Sequence, residues 1–273
     1  MYVSCSCLVC AKEDYPTVGQ TLTAIRRLGF RAVDLDCFEN WQHVNPSQLA
    51  GGGGKLVAEI AHLVAESSLS VSSLNCGLSR PLGDGEAGSF AQYKAEFAAL
   101  LSLAERTGCP NVTLQAGGPL EHVSLDEQLA VTVDHLRELG AMAGAAGVTV
   151  GLEGHANTII EKPADALALM RRLWPAVGFT YDPSHFVLQG IDLGRTEELL
   201  EFAVHVHVRN ASPGRMQETM ASGTVELSWL IAALREVGYT GAAAIEYFGG
   251  FDKDFTETLA LRDRLRELGV ADG

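Results

Sequence analysis

Eight short runs rich in β-branched and aromatic residues recur along the whole chain, and each is followed by a stretch with helical apolar spacing. Such end-to-end alternation is the mark of repeated βα units around a parallel sheet. The strands are read at 2–9, 30–36, 70–76, 111–116, 148–153, 177–182, 203–209 and 241–247. Between them lie amphipathic stretches such as TVGQTLTAIRRLGF, KLVAEIAHLVAES and LSWLIAALREVGY. Several close on a glycine (Gly29, Gly108, Gly147, Gly238), which ends a helix in the left-handed conformation without a Cβ penalty. Eight such units in 273 residues, with no linker and no shift in composition, predict a single α/β domain over 1–273, a (β/α)8 TIM barrel, whose usual size is about 250 residues. An open doubly wound sheet is the alternative.

Composition narrows the chemistry. The formal net charge of −14 repels phosphate backbones, so no nucleic-acid partner is expected. No run of about 20 apolar residues is present, and the start MYVSCSCLVC lacks the basic region of an export signal, so a soluble, cytoplasmic protein with no membrane partner is expected. Six scattered cysteines (Cys5, Cys7, Cys10, Cys37, Cys76, Cys109) in a chain of this size point to reduced thiols without disulfides. Cys5, Cys7 and Cys10 have the look of a soft metal site, but their alternating context favours small thiols in a buried strand.

Two connections exceed the few residues that such joints need. Residues 37–54 follow the second strand and residues 77–89 the third, which puts both on the face where barrel chemistry occurs. Two readings stand: lids carrying Phe38, Trp41, His43 and Arg80 over a pocket, or ordinary surface insertions. GGGGK at 51–55 fails the phosphate-loop pattern, because Leu49 stands where a glycine is needed and Leu56 where Ser or Thr would hold Mg²⁺. It reads as a hinge.

Side chains alternate along a strand, so His205, His207 and Arg209 share one face and Val206 and Val208 the other. The valines pack under helices, and the ionisable groups point at the barrel axis, whose lower layers are ordinarily apolar. The same parity puts Thr149, Gly151 and Glu153 inward on the fifth strand, and Ala242, Ala244 and Glu246 on the eighth. Asp182 closes the sixth. Glu153, Asp182, His207 and Glu246 are thus 29, 25 and 39 residues apart in turn, each about one βα unit. A lone strand-end acid ordinarily caps the next helix or meets a cation, but four metal-competent side chains at equivalent positions point to one site. Three buried carboxylates there repel each other, each costing several kcal/mol if unpaired, and a divalent cation is the economical remedy. Pro183 ends its strand by withdrawing a hydrogen-bond donor, so that Asp182 meets the metal and His185 the substrate.

With GLEGH at 151–155, YDPSH at 181–185, VHVHVRNASPGRMQ at 204–217 and AIEYFG at 244–249, nearly the whole chain resembles the xylose isomerase-like barrels of the sugar phosphate isomerase/epimerase superfamily. The resemblance implies one divalent metal on Glu153, Asp182, His207 and Glu246, with Glu153 and Glu246 also serving as acid/base groups and His185 contacting a sugar oxygen. Oxygen-rich ligation with one imidazole suits Mn²⁺, Mg²⁺ or Co²⁺, with Zn²⁺ as a further choice. The implied activity is isomerisation or epimerisation of a sugar, keto-sugar or cyclitol by proton transfer through an enediolate. Opposite faces for the two glutamates give an epimer, and a single group acting twice gives the aldose–ketose isomer. Homodimers and homotetramers are common in similar proteins.

The remaining candidates keep two readings each. His155 reaches a substrate hydroxyl or makes a structural hydrogen bond; Arg209 and Arg215 meet a substrate phosphate or carboxylate or balance the acids; His205 supports His207 from a layer below. His43, His62, His122 and His135 receive no role. A dehydratase of sugars or cyclitols uses the same metal and first proton abstraction, then expels a hydroxyl. Endonuclease IV-type hydrolysis needs further histidines, where this chain has Asn75 and Gln115. A retired, non-catalytic binder is the third class.

Overall fold

A computed structural model describes residues 1–121 and 123–273. Eight strands, β1 (Tyr2–Ser6), β2 (Ala32–Phe38), β3 (Ser70–Gly77), β4 (Asn111–Gln115), β5 (Thr149–Glu153), β6 (Gly178–Tyr181), β7 (Ala203–Val208) and β8 (Ala242–Ile245), run parallel in sequence order. β1 pairs with both β8 and β2, which closes the sheet into a barrel. A ninth strand not expected from the sequence, β9 (Ala271–Asp272), pairs with Tyr2 and Val3. The expected barrel is the observed one, and the open sheet is ruled out.

Strand ends differ where a cap intervenes. The first strand stops at Ser6, not at residue 9, because the Ser6 side chain accepts a hydrogen bond from Leu8 N and opens a 3-10 turn over Cys7–Val9. All six cysteines are nevertheless buried and unpaired. On β6 the chain leaves the ladder at Asp182, whose Oδ1 accepts from Ser184 N at 2.8 Å while Pro183 takes the first helical position of Pro183–Leu188. The crossover to β7 is then completed by a 3-10 helix, Leu193–Phe202. Helices over Val18–Arg27, Lys55–Ser67, Ser89–Thr107, Leu125–Ala145, Pro163–Leu173, Leu227–Glu236 and Thr256–Glu267 wrap the outside. The loop at 37–54 holds a further short helix, Pro46–Gly51, joined to the next one through left-handed Gly53 and Gly54. No helix among the described residues is long and apolar enough to cross a membrane.

The barrel interior departs from the apolar filling expected. Ser4 and Ser72 meet at 2.5 Å, Ser72 donates to Asp34, Asn111 donates to Ser73 at 3.0 Å, and Thr113 and Thr180 meet at 2.9 Å. Except for Asn111 Oδ1, these groups satisfy one another, which is the condition for burying them. Space there is short: a Cβ on Gly151 would lie 2.3 Å from Thr180 Oγ1, and one on Gly178 2.3 Å from Val204 Cγ1.

Candidate active site

Strand parity delivers the four expected side chains to one place. Glu153, Asp182, His207 and Glu246 are all buried, and each offers a ligand atom within 4.8 Å of the others. Glu153 is the last residue of β5, His207 the penultimate residue of β7, and Asp182 and Glu246 directly follow β6 and β8. His207 Nδ1 lies 2.8 Å from Glu153 Oε1 and 3.6 Å from Glu246 Oε1.

Arg209 sits among these acids. Fully buried, it lies 2.8 Å from Asp182 Oδ2, bonds Glu246 Oε2, and donates to Ser184 Oγ at 2.8 Å and the Glu246 carbonyl at 3.0 Å. Its balancing role is therefore the observed one, and a cation is not the sole remedy for the crowded acids: Arg209 and His207 already offset much of their charge. Arg215 is elsewhere, 68 % exposed and paired with Glu218 at 3.1 Å, so the structure does not bring it to the cluster. His185 is buried with Nε2 2.9 Å from Arg209 Nη2, and its ring lies 3.8 Å from that of His155, centroid to centroid. His43 and His135 bond the carbonyls of Tyr15 and Leu82, and His62 faces Glu66 on a helix. His122 lies outside the described residues.

Environment pushes the two glutamates apart. Burial resists ionisation of Glu153, but the hydrogen bond and charge of His207, with His155 and His185, carry it down to about 2. Burial lifts Glu246 to about 7; His207 and Arg209 oppose that lift, and Glu153 and Asp182 add to it. His207 is itself raised well above the usual imidazole range, since the Glu246 charge and its bonds to Asp34 and Glu153 outweigh burial. His185 is held well below that range by burial and by the neighbouring His155 and Arg209.

Two amides steady the carboxylates. Asn75 Nδ2 donates to Glu246 Oε1 at 2.7 Å, and Gln115 Nε2 donates to Glu153 Oε2 at 3.1 Å. Asn75 Oδ1 and His185 Nδ1 are buried with no hydrogen-bond partner among the described residues. The parity that found Glu153 also marks Asp34 and Asp36 on β2 as inward, a signal overlooked in the strand AVDLD; both are buried. Above the acids lies a cavity of about 60 Å³ walled by Phe38, Trp41, Phe248 and His155.

The donor set fits a hard divalent cation, being three carboxylates and one imidazole. Asp182 Oδ2 strengthens that fit, because its contact with Arg209 lacks hydrogen-bond alignment and leaves the oxygen without a bonded partner.

Comparison with known proteins agrees with the fold. The Mus musculus protein named "Putative hydroxypyruvate isomerase" is 26% identical over 227 residues, covering 72% of this chain and 81% of that protein. The structure of an E. coli 3-keto-D-glucoside 4-epimerase superposes with a TM-score of 0.75 at 19% identity, covering 98% of each chain. A xylose isomerase-like TIM barrel protein from Mycobacterium smegmatis, solved in complex with magnesium, gives 0.73 at 21% identity over 92% of this chain and 87% of that one. The sequence profile described as xylose isomerase-like TIM barrel matches residues 22–268, and the chain belongs to that family.

Proposed function

We propose that this chain is a divalent-metal-dependent isomerase or epimerase acting on a sugar, keto-sugar or cyclitol. The observation that carries the reading is the convergence of Glu153, Asp182, His207 and Glu246 at the mouth of the barrel. A divalent cation held by those four side chains would polarise two vicinal substrate oxygens and acidify the carbon between them. Glu153, held ionised, is the base for that carbon proton, and Glu246, poised near neutrality, is the group suited to giving one back. Gln115 and Asn75 fix one oxygen of each carboxylate, while the other faces His207 in Glu153 and Arg209 in Glu246. His185, kept neutral, has Nδ1 free for a substrate oxygen, and His155 stacks beside it at the cavity wall.

The names of the proteins compared support this class, since they include an epimerase and an isomerase of keto compounds. The endonuclease reading loses ground, because Asn75 and Gln115 serve the two glutamates as hydrogen-bond donors. Incubation of the Mn²⁺-loaded protein with ketoses and inososes in D₂O, followed by NMR, tests the proposal. Deuterium on an intact carbon skeleton is expected, together with its loss in Glu246→Gln. Net loss of water from the substrate would indicate the dehydratase, and turnover unaffected by chelation would refute the reading.

A further inference from the structure

Below the acid cluster, a second carboxylate meets the far side of the same imidazole. Asp34 of β2 is fully buried, and its Oδ2 lies 2.6 Å from His205 Nε2 and 3.1 Å from His207 Nε2. Its Oδ1 accepts from the Ser72 hydroxyl, which is backed by Ser4 at 2.5 Å. The two histidine rings stand at 86° to each other with centroids 5.0 Å apart, so both present Nε2 to one oxygen. The network spans the barrel from β1, β2 and β3 to β7 and lies beneath the proposed metal ligands.

We propose that Asp34 is a positioning residue that sets the tautomer of His207, keeping the proton on Nε2 so that the Nδ1 lone pair is presented to a divalent cation among the acids. The inference rests on the metal-binding reading above. An ionised carboxylate only accepts hydrogen bonds, so each nitrogen facing Asp34 Oδ2 must carry a hydrogen. A neutral imidazole has one N–H, and when it stands on Nε2 the unprotonated nitrogen is Nδ1. Nδ1 is the atom that faces Glu153 and Glu246, so the proton it shares with Glu153 at 2.8 Å in the cation-free protein is the one that a cation would displace, while Asp34 retains the proton on Nε2. A ligating histidine held this way is oriented and made more basic by its partner. Ser72, backed by Ser4, occupies the other Asp34 oxygen and keeps the carboxylate from turning away.

The test compares the wild-type protein with Asp34→Leu and Asp34→Asn. Calorimetric titration with Mn²⁺ is expected to show roughly 10- to 100-fold weaker binding in Asp34→Leu, which removes the acceptor. Asp34→Asn keeps an acceptor oxygen and should retain most of the affinity. ¹⁵N NMR of the Mg²⁺-saturated wild-type protein should show His207 protonated at Nε2 and not at Nδ1, a signature that general destabilisation would not produce and that stands even if Asp34→Leu fails to fold. A proton on Nδ1 in that spectrum, or equal Mn²⁺ affinity in folded Asp34→Leu, overturns the role of Asp34 alone. Absence of Mn²⁺ binding in the wild-type protein overturns the metal site together with it.

Discussion

Adding a divalent cation to the metal-free protein should expel nearly one more proton per ion at pH 6 than at pH 8. In the metal-free cluster, Glu153, Asp182 and Glu246 face Arg209 and a His207 whose imidazole is raised well above its usual range. With its pKa at about 7, Glu246 is about nine-tenths protonated at pH 6 and about one-tenth at pH 8. A cation ligated by His207 Nδ1 and the Glu246 carboxylate displaces both protons, so affinity falls as pH falls. The Glu246 proton alone contributes about tenfold and the raised His207 proton acts in the same direction, so Mn²⁺ should bind at least about tenfold more tightly at pH 8 than at pH 6. Calorimetry in buffers of different ionisation enthalpy counts the protons directly. Release that is equal at the two pH values, or an affinity that ignores pH, would refute the coupling of cation and protons at this cluster.

Three further outcomes are expected. Arg209→Met leaves Asp182 and Glu246 without their buried cation and should cost the metal-free protein about 3–5 kcal/mol in urea unfolding, partly restored by Mn²⁺; a loss under about 1 kcal/mol would contradict the ion-pair geometry. Gly151→Ala places a methyl 2.3 Å from Thr180 Oγ1 and should destabilise by about 1–3 kcal/mol, read from the same unfolding curves. Burial raises the thiols of Cys5, Cys7 and Cys37 well above the usual range and that of Cys10 to about 12, so iodoacetamide at pH 8 should modify none of these four in the native protein and all of them in urea.

The barrel was legible because strand and helix periodicities alternate from end to end, and the proposed ligands because parity along four strands fixes which side chains share the axis. The same parity marks Asp34 and Asp36, yet two acids in the middle of a buried strand do not announce which histidines they serve; β2 and β7 come face to face only when the barrel closes. Arg209 carried two readings in the sequence, and tertiary contact with Asp182 and Glu246 chose between them. Arg215 shows the converse limit: it lies in a loop, where no periodicity says which way a side chain turns. The polar interior was also hidden, because Ser4, Ser72, Thr113 and Thr180 satisfy one another across strands distant in sequence.

The small chamber above the acids sets a condition on turnover. Its 60 Å³ admits a few water molecules, whereas small-molecule pockets commonly run from about 300 Å³ upward. Phe38, Trp41 and Phe248 close it in two edge-on ring contacts, with centroids 5.1 and 5.9 Å apart, and Trp41 is half exposed on the outer side. A sugar bound at the proposed site would need more room than this, and Phe38 and Trp41 of the 37–54 connection are rings whose outward movement would supply it and so gate the reaction. Where such gating is slower than proton transfer, the maximal rate follows solvent viscosity and shows little isotope effect from deuterium at the reacting carbon.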